Sequence, residues 1–444
     1  MNLVYGVKDK PKFGQMLIFA FQQVLAILAA TIAVPTIIGN GMSQSAALFG
    51  AGIGTLVYQL FTRRNSPVFL GSSFAFIGSM FAAFGGAASA AAGYAGLIIG
   101  AAFAGLVYVV IALVVKAVGV NWINKLMPPV VIGPTVSIIG LSLAGNAVGD
   151  MTTGKVLVDG VSACSPYVAL ICGLVTLFGV IFFSVYGKKM AKLIPFILGI
   201  LTGYVVATVF TVIGLATGNV SLQIIDFSVF SNMQIFSIPD FTFVMAAKGL
   251  ADIDGAFIAT VAVAYVPVAF VVFAEHIADH KNLSTIIGSD LLVEPGLHNT
   301  LLGDGIGSVA GAFFGGCPNT TYGESVGCVA ITRNASVATI TTTAVLCLLI
   351  SFFGPFVTFL ASIPNCVMGG VCVTLYGFIA VSGLKMIQQV NLGASKNLFV
   401  AAVILITGIG GLSVSFGKVT LTSIACALIL GILVNVMVNR AKED

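Results

Sequence analysis

Long uncharged apolar stretches dominate the chain. No Asp, Glu, Lys or Arg occurs in residues 13–62, 66–115 or 334–384. Each stretch has room for two membrane-spanning helices of about 20 residues each, so a turn must lie within it. Gly39-Asn40-Gly41 supplies such a turn in the first stretch. The pattern predicts an all-α, multi-pass membrane protein.

Hydropathy and chain-breaking residues predict about fourteen spans, with the polar stretch 219–254 dividing the chain into two halves of seven. With the N-terminus in the cytoplasm, the predicted inner segments hold sixteen of the nineteen Lys and Arg residues, the asymmetry typical of cytoplasmic loops. An odd number of spans inverts the second half relative to the first. We therefore expect two inverted repeats, with both termini cytoplasmic. The predicted spans lie near 14–37, 43–61, 67–84, 90–115, 128–146, 166–186, 193–216, 256–278, 298–316, 318–333, 337–362, 366–384, 396–412 and 419–438.

The third predicted span of each half is interrupted by Pro, Gly and small hydroxyl residues. The interruptions are residues 67–76 and 315–324. This composition favours extended backbone, and extended backbone within a membrane needs hydrogen-bond partners. We expect short antiparallel β-strands to interrupt spans 3 and 10, with half-helix N-termini facing a central cavity. Ordinary Gly/Pro kinks in long helices are the alternative.

The composition agrees with a lipid environment. Only 8% of the residues are charged, and the mean hydropathy is +1.11, values that a soluble domain does not reach. The net charge of +4 does not indicate nucleic-acid binding, because the basic residues are scattered between spans. The eight cysteines form no Cys-x-x-Cys pair and are predicted to be free, packed thiols. The first apolar segment is too long for a signal peptide and is predicted to be a retained span.

Ionisable residues within predicted spans are energetically expensive and are therefore the first candidates for function. Glu275 and Asp279 are four residues apart on one helical face, where two carboxylates in a low dielectric favour sharing a proton. The alternative for Asp279 is that it marks the cytoplasmic end of its span. Asp304 is expected either to line a cavity or to anchor helix packing.

Glu324 follows the break at Tyr322-Gly323 and is predicted to begin a half helix. The helix dipole and free N–H groups stabilise a carboxylate there, and a carboxylate facing a cavity accepts hydrogen bonds from substrate N–H groups. A purely capping carboxylate is the alternative.

Two histidines, His276 and His280, have the i, i+4 spacing of a zinc pair. No third ligand and no His-Glu-x-x-His motif accompany them. We expect no metal and no other cofactor. No nucleophile-base set is recognisable either, so the chain is not predicted to be an enzyme.

Several motifs in order along the chain resemble the nucleobase-ascorbate transporter family and, within it, the bacterial uracil permeases. Residues 69–76 (FLGSSFAF) resemble the strand of the family's third span, and 274–277 (AEHI) resemble its eighth-span carboxylate motif. Residues 318–324 (PNTTYGE) resemble the tenth-span strand, and the family signature continues over 324–333. The resemblance runs essentially from residue 12 to residue 440.

This resemblance implies a core domain and a gate domain, with substrate bound between the strands of spans 3 and 10. The core would comprise residues 1–125 (spans 1–4) and 248–363 (spans 8–11). The gate would comprise residues 126–247 (spans 5–7) and 364–444 (spans 12–14). The substrate-binding residues expected are Glu275, Glu324, Phe74, Tyr322, Gly323, Ala30 and Tyr376. Those expected to carry proton coupling are Glu275, Asp279 and Asp304.

The function implied is proton-coupled uptake of uracil across the cytoplasmic membrane by alternating access. The expected partners are a nucleobase, the lipid bilayer and a second copy bound through the gate domain, without nucleic acid. The alternatives are a purine (xanthine-type) symporter, a passive channel and an anion exchanger of a related seven-plus-seven fold. Glu275 and Glu324 disfavour the exchanger, because they would repel an anion. Sodium coupling is the alternative to proton coupling.

Two positions depart from the family pattern. Ser325 stands where the family usually has Asn, and Gln23 stands where many relatives have His. Asp279 occupies a position that is His in some uracil permeases and Asp in others. Because of these residues, the family pattern does not define the hydrogen bonds around the expected site.

Overall fold

The protein is mostly helical. The computed structural model describes residues 3–440 except 120–121, 123–127, 159–160, 189, 232 and 417–418. Its helices are α1 (Phe13–Ile38), α2 (Gln44–Phe61), α3 (Ile77–Gly85), α4 (Ala90–Val118), α5 (Pro129–Ser142), α6 (Ala144–Asp150), α7 (Pro166–Tyr186), α8 (Met190–Leu193), α9 (Pro195–Thr217), α10 (Thr242–Ala247), α11 (Gly255–Ile287), α12 (Leu297–Gly315), α13 (Gly323–Thr332), α14 (Val337–Ile350), α15 (Gly354–Ser362), α16 (Asn365–Ile387), α17 (Ser395–Ile409) and α18 (Ser423–Arg440). Its strands are β1 (Leu70–Ser72), β2 (Leu157–Val158), β3 (Val161–Ser162), β4 (Asn319–Thr321), β5 (Val414–Phe416) and β6 (Val419–Leu421).

Within the described residues, seven helical segments are long and apolar enough to cross a membrane: α1, α4, α5 with α6, α7, α9, α11 and α16. Other predicted spans coincide with shorter apolar helices, including α14, α17 and α18. The structure therefore agrees with a multi-pass protein, and the number fourteen stays a prediction.

Helix α11 is longer than the sequence predicts. The predicted span ends near residue 278, whereas the helix continues to Ile287. Asp279, His280 and Lys281 consequently lie within the helix and do not mark its end. The misplaced boundary follows from the polar residues after Ala278, which interrupt the apolar run without interrupting the helix.

Local signals place several helix boundaries. The Ser43 and Ser89 hydroxyls and the Asp254 carboxylate accept hydrogen bonds from N–H groups in the first turns of α2, α4 and α11. Between α1 and α2, the predicted Gly39-Asn40-Gly41 turn is present, with φ values of 66°, 49° and 74°. Glycine adopts this left-handed region without strain, which allows the sharp reversal.

The helices pack in two sets. The first contains α1, α2, α4, α11, α12 and α14, and the second contains α5, α7, α9, α16, α17 and α18. The sets meet where α1 packs against α9 and α16, and where α11 packs against α5 and α18. Strands β1 and β4 lie within the first set, next to α1, α2, α11 and α12.

Strands β1 and β4 form an antiparallel pair inside the two interrupted segments, with Leu70 opposite Thr321 and Ser72 opposite Asn319. Backbone bonds extend the pair at both ends, from Ser73 N to the Pro318 carbonyl (2.9 Å) and from Tyr322 N to the Phe69 carbonyl (3.1 Å). Both strands are fully buried. The pairing supplies the partners that extended backbone requires away from water.

Glycines at four-residue spacing bring α2 and α12 into close contact beside this strand pair. A methyl group at Gly54 would lie 2.8 Å from the Gly307 carbonyl oxygen, and one at Gly315 would lie 2.6 Å from the Ala46 carbonyl oxygen. The Asn319 side chain of β4 also fits between these helices, where its amide donates to the Gly50 carbonyl (3.1 Å). Small residues at this spacing are a common means of close helix packing in membranes.

We expect Gly311→Ala to destabilise the protein by about 1–3 kcal/mol, the usual cost of overpacking. The new methyl group would lie 2.6 Å from Asn319 Oδ1, so either the asparagine or a helix must move. Gly377→Ala in α16 is the matched control, because its methyl group meets nothing within 4 Å. The measurement is the free energy of unfolding in detergent. Equal stability of the two variants would contradict the packing argument.

Candidate functional site

Helix α11 places Glu275 and Asp279 one turn apart, facing the interrupted segments. The Thr321 hydroxyl at the end of β4 donates to Asp279 Oδ2 (2.6 Å). Glu275 interacts electrostatically with both Asp279 and Glu324. The structure thus brings Glu324 together with Glu275 and Asp279, which the sequence had already paired on one helical face.

Glu324 lies in the first turn of α13, where the sequence predicts it. Tyr322 precedes this helix in extended conformation, with φ −103° and ψ 118°. Gly323 is exposed, and a methyl group there would meet no atom of the described residues within 4 Å. The first N–H groups of α13 therefore lie beside open space, next to the Glu324 carboxyl group. This arrangement suits a ligand that has both N–H donors and carbonyl acceptors.

Phe74 and Tyr376 face each other between the two helix sets. Their ring centroids are 5.9 Å apart with an interplanar angle of 76°. Phe74 is half-buried and borders a cavity of about 250 Å³, which Ser142 and Asn146 also line. The Tyr376 hydroxyl is buried and lies beside the Cys372 thiol. An aromatic ring and a hydroxyl group thus lie at this position.

Two of the expected site residues have mainly structural contacts. The Tyr322 ring is buried, and its hydroxyl donates to the Ser72 carbonyl of β1 (2.9 Å). Ala30 is buried in α1, which packs against β1 and α16. The backbone of Tyr322, and not its ring, lies beside the start of α13.

The two departures from the family pattern, Gln23 and Ser325, contact each other. The Gln23 amide nitrogen donates to the Ser325 hydroxyl, and it lies 3.4 Å from the Ser325 carbonyl oxygen. Both side chains are buried. These hydrogen bonds join α1 to the first turn of α13, directly after Glu324.

Asp304 binds His276 and also interacts electrostatically with Glu275 and Asp279. Its Oδ2 atom is 2.6 Å from His276 Nδ1, and both side chains are buried. On the other side of the ring, His276 Nε2 lies 3.0 Å from the Thr300 hydroxyl oxygen. Of the two roles that the sequence left open for Asp304, these contacts favour the packing anchor, although Asp304 also lines a small cavity.

The contacts of His276 favour one distribution of protons over the pair that it forms with Asp304. Thr300 donates its hydroxyl proton to the Leu297 carbonyl (3.0 Å), so His276 Nε2 is the donor to Thr300. One proton must then lie between His276 Nδ1 and Asp304 Oδ2. Whichever atom carries that proton, the two side chains together are neutral.

His276 and His280 stack at a centroid distance of 4.0 Å. His280 Nδ1 lies 2.8 Å from the His276 carbonyl oxygen, and its Nε2 lies 2.7 Å from the Tyr58 hydroxyl. Both nitrogens of each ring are therefore engaged in hydrogen bonds. Across the described ranges, no group of three or more His, Cys, Asp or Glu residues has a geometry suited to a metal ion.

The sequence interpretation missed the polar residues that hold the site in place. Thr321 and Asn319 in β4 and Thr55 in α2 are buried hydrogen-bonding residues. Thr55 bonds both the N–H (2.9 Å) and the carbonyl (3.2 Å) of Leu70 in β1. The only sequence signal was the cluster of polar residues within an otherwise apolar segment.

We expect Asp304→Ala to destabilise the protein by about 1–3 kcal/mol, because it leaves the buried His276 Nδ1 without a partner. Asp304→Asn should retain most of the stability, since its amide donates to Nδ1 while Nε2 still donates to Thr300. Thermal unfolding in detergent measures both. An alanine variant as stable as the asparagine variant would show that this hydrogen bond does not stabilise the fold.

Comparison with known proteins identifies the relatives of this chain. The Permease family model (Xan_ur_permease) matches residues 14–416. The chain is 38% identical to the uracil permease of Bacillus caldolyticus, over 98% of this chain and 94% of that protein. It is 32% identical to the uracil permease of Escherichia coli (strain K12), over 96% and 92% respectively.

Two solved structures of anion transporters share the fold. The transmembrane domain of a cyanobacterium bicarbonate transporter, BicA, matches with a TM-score of 0.62 at 17% identity, over 97% of this chain and all of that one. Murine Slc26a9 matches with a TM-score of 0.63 at 12% identity, over 97% of this chain and 69% of that one. The family match and the sequence relatives show that this chain belongs to the Permease family of nucleobase-ascorbate transporters.

Proposed function

We propose that this protein takes up uracil together with protons across the cytoplasmic membrane. The observation that carries the proposal is the convergence of Glu275, Asp279 and Glu324 at the start of α13. Two relatives, 38% and 32% identical to this chain, are named uracil permeases, and they support uracil as the substrate. Membership of a permease family also argues for transport and against an enzyme.

The chemistry of uracil suits this site. Uracil has two N–H donors and two carbonyl acceptors on one flat ring. The carboxylates of Glu275 and Glu324 accept from N–H groups, and the first backbone N–H groups of α13, beside Gly323 and Tyr322, donate to a carbonyl. Phe74 offers an aromatic face for stacking. Ala30 and Tyr376 complete the proposed pocket.

Proton coupling is assigned to the carboxyl groups of α11. Glu275 and Asp279 are close enough to repel each other when both are ionised, so one proton shared between them relieves the repulsion. Asp304 acts through His276, the neighbour of Glu275, and is proposed to hold that part of α11 in position for coupling. The same carboxyl groups disfavour an anion as the substrate.

Alternating access is proposed as a movement between the two helix sets. We propose that the first set forms the core domain (residues 1–125 and 248–363) and the second the gate domain (126–247 and 364–444). We propose fourteen spans in two inverted repeats, cytoplasmic termini and a homodimer formed through the gate. In this arrangement the strand pair moves with the core, while Tyr376 stays with the gate.

Glu324→Gln should weaken uracil binding by about 1–3 kcal/mol, roughly a 5- to 150-fold rise in Kd, because a hydrogen bond to a charged group is lost at constant size. Glu294→Gln is the control, since Glu294 is exposed. Binding of radiolabelled uracil to purified protein, with thymine, xanthine and adenine as competitors, measures this. Unchanged affinity would show that Glu324 only caps the helix, and tighter binding of xanthine would favour a purine transporter.

In liposomes, an acidic exterior should drive accumulation of uracil, because protons then flow inward with the substrate. Asp279→Asn should abolish this accumulation and leave uracil exchange at equal pH intact. The amide oxygen still accepts from Thr321, whereas the group no longer takes up a proton. Accumulation driven by a sodium gradient, or an Asn variant that still responds to pH, would contradict the assignment.

A further inference from the structure

Three buried polar side chains meet at one small cavity behind the strand pair. Tyr108 on α4 and Asp304 and Ser308 on α12 all line it. The Tyr108 hydroxyl, Asp304 Oδ1 and the Ser308 hydroxyl have no hydrogen-bond partner in the part of the chain that the structure describes. Unpaired buried polar atoms are costly, and three at one place indicate a shared partner.

The size of the cavity limits what that partner is. Its volume is about 10 Å³, close to the space occupied by one water-sized sphere. Buried waters in proteins typically make about three hydrogen bonds, which equals the number of unpaired atoms here. The cavity is too small for a nucleobase, so it is distinct from the proposed substrate site.

The charge of the surroundings favours a neutral occupant. Among the described residues that line the cavity, Asp304 supplies the only carboxyl group. The proton that it shares with His276 makes that pair neutral as a whole. A cation would therefore face no uncompensated negative charge, whereas a water molecule donates to Asp304 Oδ1 and also bonds the two hydroxyl groups.

We propose that the cavity binds a single water molecule through Tyr108, Asp304 and Ser308. This water joins α4 to α12 directly behind β4, since Asn319 and Phe76 line the same cavity. The water binds Oδ1 of Asp304, whereas Oδ2 of the same carboxyl group binds His276. The proposal does not depend on which substrate the protein carries.

A double-mutant cycle on the full chain tests the proposal. Tyr108→Phe and Ser308→Ala should each lower the thermal midpoint, and their combined effect should be smaller than the sum, because both act on one water. Tyr265→Phe is the matched control: its hydroxyl is also buried and unpaired among the described residues, and it does not line the cavity. Tyr265→Phe should cost little and combine additively with Ser308→Ala.

A high-resolution density map supplies the second readout. One peak within about 2.7–3.2 Å of the three oxygen atoms is expected, unchanged when sodium is replaced by choline in every buffer. A cavity without density, or Tyr108→Phe and Ser308→Ala variants as stable as the unmutated chain, would overturn the proposal. A peak or a stabilisation that requires sodium would identify a cation instead.

Discussion

Backbone N–H and carbonyl groups at membrane depth have no water to bind, and this constraint governs how the site is built. Extended segments such as residues 70–72 and 319–321 persist only when their backbone groups are paired. Here the two segments pair with each other, although they are almost 250 residues apart in the chain. The site therefore depends on the two halves of the protein meeting correctly.

Close helix packing makes this pairing geometrically feasible. Gly54 and Gly307 let α2 and α12 approach each other, and Asn319 fits into the crossing and bonds the Gly50 carbonyl. Thr55, on the same helix as Gly54, fixes Leu70 of the opposite strand. These contacts hold both strands in place independently of the carboxyl groups of the candidate site. The direction of α13, and with it the position of Glu324, follows from where β4 ends.

Much of this arrangement could be predicted from local sequence features. Pro, Gly and hydroxyl residues at 315–324 indicate an interruption, and the spacing of Glu275 and Asp279 places them on one helical face. These signals are local because backbone conformation and helical periodicity are local properties. The helix end beyond Ala278 was predicted wrongly for the same reason: a polar sequence can continue a helix when its side chains find partners, as His280 does with Tyr58.

Contacts between distant residues could not be predicted in this way. Gln23 and Ser325 each look like an isolated departure from the family, yet they are hydrogen-bonded to each other across 302 positions. Nothing in the sequence near Asp304 indicates that its partner is His276, because the pairing depends on how α11 crosses α12. The register of β1 against β4 likewise depends on how the helices pack, and the local sequence does not determine it.

The comparison with anion transporters concerns the relation between fold and substrate. BicA and Slc26a9 share this fold at 17% and 12% identity, so the fold itself does not select a nucleobase. In this chain the start of α13 lies beside carboxyl groups contributed by two different elements, Glu275 on α11 and Glu324 on α13 itself. Helix N-termini alone attract anions, whereas added carboxylates oppose them and accept N–H donors. The discrimination is therefore proposed to lie in a few side chains placed on a scaffold that serves both kinds of substrate.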